Sequence, residues 1–177
     1  MAGTGNRTAE STHKKCGTGT GKARYSHRTS KILFQMKMLA CFCLICLPLK
    51  NLYITSSFGY RRHPLTGNYA FHNGIDFRAR SDTVYAIMDG VVSNTGYDSS
   101  LGVSVALDHG DVTSVYGHLS QLFVTQGESI QAGQPIAITG GTGKVTGEHL
   151  HFSIRIKQQY IDPMDFFYQN LINRNHE

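Results

Sequence analysis

A chain of 177 residues is long enough for one domain and short for two. Its formal charge of +5 is unevenly placed: residues 1–50 hold nine Lys and Arg against one acid, Glu10, whereas residues 51–177 hold eight against eleven acids. The folded part therefore lacks the basic stripe a nucleic-acid partner requires, and with Cys16, Cys41, Cys43 and Cys46 all in the first 50 residues it has neither a disulfide nor a thiolate metal site.

Residues 1–35 read as a basic leader, rich in Gly, Ser, Thr, Lys and Arg through residue 31. Such a stretch cannot bury enough apolar surface to offset its ordering entropy, so disorder is expected. Residues 36–50 form a signal-like segment whose apolar core, Met38 to Leu49, has twelve residues. Spanning a bilayer takes about 20 residues, so the run fits a secretory signal, in preference to a buried core helix. No small-x-small cleavage site follows the run, and the leader is long for a signal. A start at Met36 or Met38 would give a compact signal and leave residues 1–35 outside the native chain. The expectation is an exported protein of the periplasm, cell envelope or surrounding medium, meeting a membrane only through this segment.

From residue 53 to about 168 the texture is that of short strands between turns, with residues 169–177 left as a tail. Val91-Val92, Val103–Leu107, Val112–Tyr116, Ile136–Ile138 and Leu150–Ile156 are β-branched or alternating, and glycines punctuate them. Helical periodicity is confined to Met164–Ile172. The expected fold is mainly β: an antiparallel barrel-sandwich hybrid (a duplicated hybrid motif) with a short C-terminal helix.

Nine histidines are present, and their spacing carries the chemistry. In Glu148-His149-Leu150-His151-Phe152-Ser153-Ile154-Arg155, strand alternation puts His149, His151, Ser153 and Arg155 on one face and Leu150, Phe152 and Ile154 on the other. In His72-Asn73-Gly74-Ile75-Asp76-Phe77, Gly74 argues for a turn into a strand, and no Glu follows His72 to act as a base. A third histidine sits in Tyr116-Gly117-His118-Leu119-Ser120. Together these segments supply two His and one carboxylate with imidazoles to spare, the inventory of a catalytic zinc site with three protein ligands and an open position.

The ordered segments Ser57-Phe58-Gly59-Tyr60-Arg61-Arg62-His63-Pro64-Leu65-Thr66-Gly67, HNGIDF, YGHLS and HLHF, closing with Ile161-Asp162-Pro163, resemble the lysostaphin-type zinc endopeptidases of bacterial cell walls. The resemblance runs from about Thr55 to Phe167. It implies a secreted bacterial hydrolase, a zinc metalloprotease cutting the stem peptides or cross-bridges of peptidoglycan, expected to act as a monomer with no nucleic-acid partner. It further implies His72, Asp76 and His151 as the ligands of Zn2+, and His149 and His118 as the catalytic pair. His149 is assigned the water's proton and His118 the oxyanion, with the exchange of these two roles left open.

Other charged positions read as ordinary structure: His63 and His109 as loop or turn residues, Asp89 and Asp108 as turn acids, and Arg61, Arg62 and Arg78 as solvated surface in preference to partners for the acidic groups of stem peptides. Two further classes compete. A wall-binding module without turnover is disfavoured by the complete set of five residues. A sugar phosphotransferase domain leaves Asp76 unexplained.

Overall fold

The computed structural model describes residues 45–62 and 67–172. The basic leader, residues 36–44 of the signal-like segment, His63 and residues 173–177 of the tail lie outside the described residues.

Among the described residues twelve strands follow one another: β1 (Ile54–Ser56), β2 (Gly59–Arg62), β3 (Tyr69–His72), β4 (Ile75–Arg78), β5 (Thr83–Tyr85), β6 (Gly90–Asp98), β7 (Gly102–Asp108), β8 (Val112–Leu122), β9 (Ser129–Ile130), β10 (Pro135–Thr139), β11 (His149–Ile156) and β12 (Gln159–Ile161). All pairings are antiparallel. The main sheet runs β1-β4-β11-β8-β7-β6-β9, β10 bridges β5 and β8, and β12 flanks β11, while β2 and β3 form a separate hairpin. The mainly β, antiparallel expectation holds.

Strand β11 lies between β4 and β8 and so organises the centre. Its Leu150, Phe152 and Ile154 are fully buried, against Phe77 from β4 and Tyr116 from β8. Phe152 packs on Tyr116 with ring centroids 5.2 Å apart and stacks on Phe167 at 5.8 Å. Burial of each such side chain contributes roughly 1.5–3 kcal/mol. The apolar alternation of β11 thereby commits its other face, with His149, His151 and Ser153, to the opposite side of the sheet.

Helix α1 (Pro163–Phe167) starts where Asp162 accepts a hydrogen bond from the Met164 N–H at 2.8 Å, with Pro163 in the first turn. It is shorter than the expected 164–172 helix, because Tyr168–Ile172 winds as a π-helical turn. There the Asn170 side-chain amide donates to the Phe166 carbonyl at 2.8 Å.

The end of the signal-like segment is packed rather than free. Ile45 and Leu49 belong to the core. The Cys46 N–H donates to the Ile87 carbonyl at 2.8 Å, and the Pro48 carbonyl accepts from the Tyr85 N–H at 3.0 Å. Residues 45–53 thus form a strap along β4 and β5, closed by the Arg78 N–H donating to the Tyr53 carbonyl at 2.8 Å. Among the described residues no helix is long and apolar enough to cross a membrane.

Candidate metal centre and active site

Three elements deliver the candidate ligands. His72 ends β3, Asn73 and Gly74 bend the chain, and Asp76 follows in β4. In the β4–β11 ladder Asp76 stands directly opposite His151. Opposed residues of an antiparallel pair share a face with Cβ atoms about 4.5–5.5 Å apart. The bend is possible because residue 74 has no side chain: a Cβ there would run into the Phe152 carbonyl and lie 2.8 Å from Ser153 Oγ and 2.9 Å from His151 Cε1. Gly74→Ala is therefore expected to destabilise the metal-free protein by about 1–3 kcal/mol and to weaken zinc binding by tilting His151. Thermal denaturation and a zinc titration read the two effects, and an unchanged melting temperature contradicts the close approach.

His72 Nε2, Asp76 Oδ1 and His151 Nδ1 lie within 4.8 Å of one another. His72 Nε2 is 3.2 Å from Asp76 Oδ1 and 3.1 Å from His151 Nδ1, and His151 Nδ1 is 2.9 Å from the carboxylate. The far nitrogens are also engaged. His72 Nδ1 donates to the Ser57 carbonyl at 2.9 Å, since a carbonyl only accepts, and His151 Nε2 meets Ser153 Oγ at 3.0 Å. In its neutral form, with the proton on Nδ1, His72 offers Nε2 as an acceptor. His72 Nε2, Asp76 Oδ1 and His151 Nδ1 then have a single proton among them, the one on His151 Nδ1. A divalent cation takes a lone pair from each of the three once that proton moves to His151 Nε2, with the Ser153 hydroxyl turning from donor to acceptor. The donor set fits zinc, which takes two imidazoles and a carboxylate and keeps an open position.

Electrostatics agree with this fit. Burial raises the Asp76 carboxyl, but the imidazoles of His151 and His72 against it outweigh that and hold it well below the usual carboxylate range. Burial lowers His151 despite the partial offset from Asp76, so its ring is neutral and free to coordinate.

His118 reaches the same side by a route that strand alternation does not foresee. Gly117 stands opposite His151, so regular alternation would send His118 to the core face. Instead His118 adopts φ 61°, its N–H donates to the Leu101 carbonyl at 2.7 Å, and the β7–β8 register shifts nearby. Such a bulge re-aims a side chain, and a left-handed non-glycine residue is uncommon enough to point to function. Leu119 then takes the core position and is fully buried. The His118 ring lies 4.6 Å from that of His149 and 5.9 Å from that of His151.

Both of these imidazoles have a determined tautomer. His118 Nδ1 donates to the Thr142 carbonyl and His149 Nδ1 to the Gly147 carbonyl, each at 2.8 Å. In the neutral form each therefore offers Nε2 as an acceptor. Burial lowers the His118 pKa to about 4, outweighing the Thr142 hydrogen bond, so this ring stays neutral. His149 Nε2 lies 3.7 Å from Asp76 Oδ1.

All five residues line one cleft of about 420 Å³. Arg61 lines it as well, where solvated surface was expected. Its Nη2 is 3.6 Å from Asp76 Oδ2, and its Nε is buried without a hydrogen-bond partner. The reason is register: in the β2–β3 hairpin Arg61 shares a face with Gly59 and His72, which the sequence does not reveal until the pairing is known. Ser153 was a legible signal, two residues beyond His151 on the same strand face. His109 is a tie rather than a plain turn residue, its Nδ1 donating to the Asp89 carbonyl and its Nε2 meeting Ser114 Oγ, each at 2.8 Å.

Comparison with known proteins bears on this geometry. The model of Peptidase family M23 matches residues 70–163. The DD-carboxypeptidase/endopeptidase Mpg of Neisseria meningitidis is 39% identical over 119 residues, 66% of this chain and 27% of that protein. The peptidoglycan DD-endopeptidase ShyA of Vibrio cholerae is 40% identical over 114 residues, 63% of this chain and 26% of the relative. The chain thus spans about a quarter of the length of these curated relatives. Among solved structures, a zinc-containing peptidase from Vibrio cholerae superposes with a TM-score of 0.65 at 33% identity, covering 69% of this chain and 39% of that one. The catalytic domain of lysostaphin from Staphylococcus simulans gives 0.59 at 30% identity, covering 66% and 92%. A family match over more than half of the residues, joined to a candidate three-ligand centre on the matching strands, leaves one assignment: the chain belongs to Peptidase family M23, the lysostaphin-type metallopeptidases.

Proposed function

We propose that this protein is a zinc-dependent endopeptidase, exported to the cell envelope, that hydrolyses peptide cross-links of bacterial peptidoglycan. The observation that carries the proposal is the convergence of His72, Asp76 and His151 on one point in the wall of an open cleft, with two further imidazoles of known tautomer beside it. The relatives named as peptidoglycan DD-endopeptidases support the substrate class.

His72, Asp76 and His151 would hold the zinc. When bound there, zinc acidifies a water and polarises a carbonyl. The chain's own residues supply the proton traffic. His149 accepts the water's proton at Nε2, its Nδ1 being held by the Gly147 carbonyl, and returns it from Nε2 to the leaving amine. His118 resists charge because it is buried, so its Nε2 acts as an acceptor that orients the attacking water. The oxyanion role does not fall to His118, since a neutral ring with its proton on Nδ1 has none to donate from Nε2.

The test is mass spectrometry of muropeptides released from purified sacculi. Release of peptides cut within the cross-link, abolished by a chelator and restored by zinc, is the expected outcome. Release that persists in the chelator rules out the metal-dependent reading.

A further inference from the structure

A second cavity, of about 450 Å³, lies between the 45–53 strap and strands β4 and β5. Lys50, Arg78 and Arg80 line it beside Tyr53 and Tyr85. All three cations are exposed, and among the described residues none is in an ion pair. The acid in the lining, Asp82, is already engaged, its carboxylate accepting from the Arg80 N–H at 2.8 Å. Glu148 nearby accepts from the Ser81 N–H and the Thr139 hydroxyl. The local acids are thus spent on backbone and hydroxyl donors, while the cationic heads have no partner within the described fold. This concentration of positive charge runs against the described residues as a whole, which hold eight Lys and Arg against ten Asp and Glu.

The cavity is also built and well placed. Backbone hydrogen bonds tie the strap to β4 and β5 on either side of Lys50, through Pro48 and Tyr53, and Leu49 anchors it in the core. Arg78 stands directly opposite His149 and two residues beyond Asp76 on β4. That is about 7 Å along the strand. A substrate chain in extended form advances about 3.3–3.6 Å per residue, so one crossing the metal centre along β4 reaches the cavity about two residues from the bond that is cut.

We propose that this cavity is a subsite for free carboxylates on the substrate peptide, so that stem peptides with free acids are preferred over those whose acids are amidated. Guanidinium groups present paired donors that match a carboxylate, and the tyrosine walls suit the apolar stem of an acidic side chain. The proposal rests on the peptidoglycan reading above and adds the class of peptide that the site selects.

The test gives the zinc-loaded full chain two soluble cross-linked muropeptides that differ only in whether their carboxylates are free or amidated. The free-acid peptide is expected to have a KM lower by about fivefold. That gap closes in Arg78→Gln/Arg80→Gln and narrows in Lys50→Gln. Equal KM values in the unaltered protein, or a gap that survives the double substitution, overturn the subsite. If neither peptide is cleaved, the peptidase reading fails on its own, and calorimetric titration of the same two peptides decides the subsite. An affinity preference for the free acid that disappears in the double variant upholds it, and equal affinities overturn it.

Discussion

Replacing Asp76 by Ala or Asn is expected to lower zinc affinity by more than about 100-fold, since even outer partners of a metal ligand are worth about 10–100-fold. Asp76 Oδ1 lies 2.9 Å from His151 Nδ1 and 3.2 Å from His72 Nε2, so it is the shared partner of both imidazoles. Without it, two neutral rings would have to hold a doubly charged ion with no anion beside it. Asn preserves the shape but not the charge, so it separates loss of electrostatics from loss of packing. The contact of the other oxygen with Arg61, at 3.6 Å, loses its charge in the Asn variant and is removed in the Ala variant. Competition with a chromophoric chelator gives the affinity. A variant that retains zinc as tightly as the unaltered protein removes Asp76 from the ligand set.

His149→Ala is expected to keep its zinc and lose about 10²–10⁴ in kcat, the usual range for removing a general acid–base group. The same split is expected for His118, but its substitution needs care with the backbone. Residue 118 has φ 61°, a region that Asn tolerates better than Ala. His118→Asn is therefore the safer probe of the lost imidazole, and His118→Ala tests the same position with strain added. Zinc content and kcat are measured on the same preparations. Metal loss in His149→Ala would make that residue a ligand, and full activity with full zinc would remove it from the reaction.

The β fold and the split character of β11 were legible in the residues themselves. A two-residue period with Leu150, Phe152 and Ile154 on one face has one stable solution, which buries that face and turns His149, His151 and Ser153 the other way. Gly74 between His72 and Asp76 was equally readable as a turn, because glycine takes turn conformations at little steric cost. These are local facts, set by periodicity and by the size of a side chain.

Other features depended on which strands became neighbours. Arg61 enters the cleft because β2 pairs with β3 in a particular register, and no spacing along the chain encodes that pairing. Alternation from Gly117 would have placed His118 in the core, yet a bulge held by the Leu101 carbonyl re-aims it beside His149. Its tautomer, and with it the acceptor role, follows from the Thr142 carbonyl 24 residues away. The residue types and the strand period were therefore enough to point to a β domain carrying candidate metal ligands. Distances, tautomers and charge at the centre were decided only by tertiary structure, because they depend on partners that the chain brings together across long sequence separations.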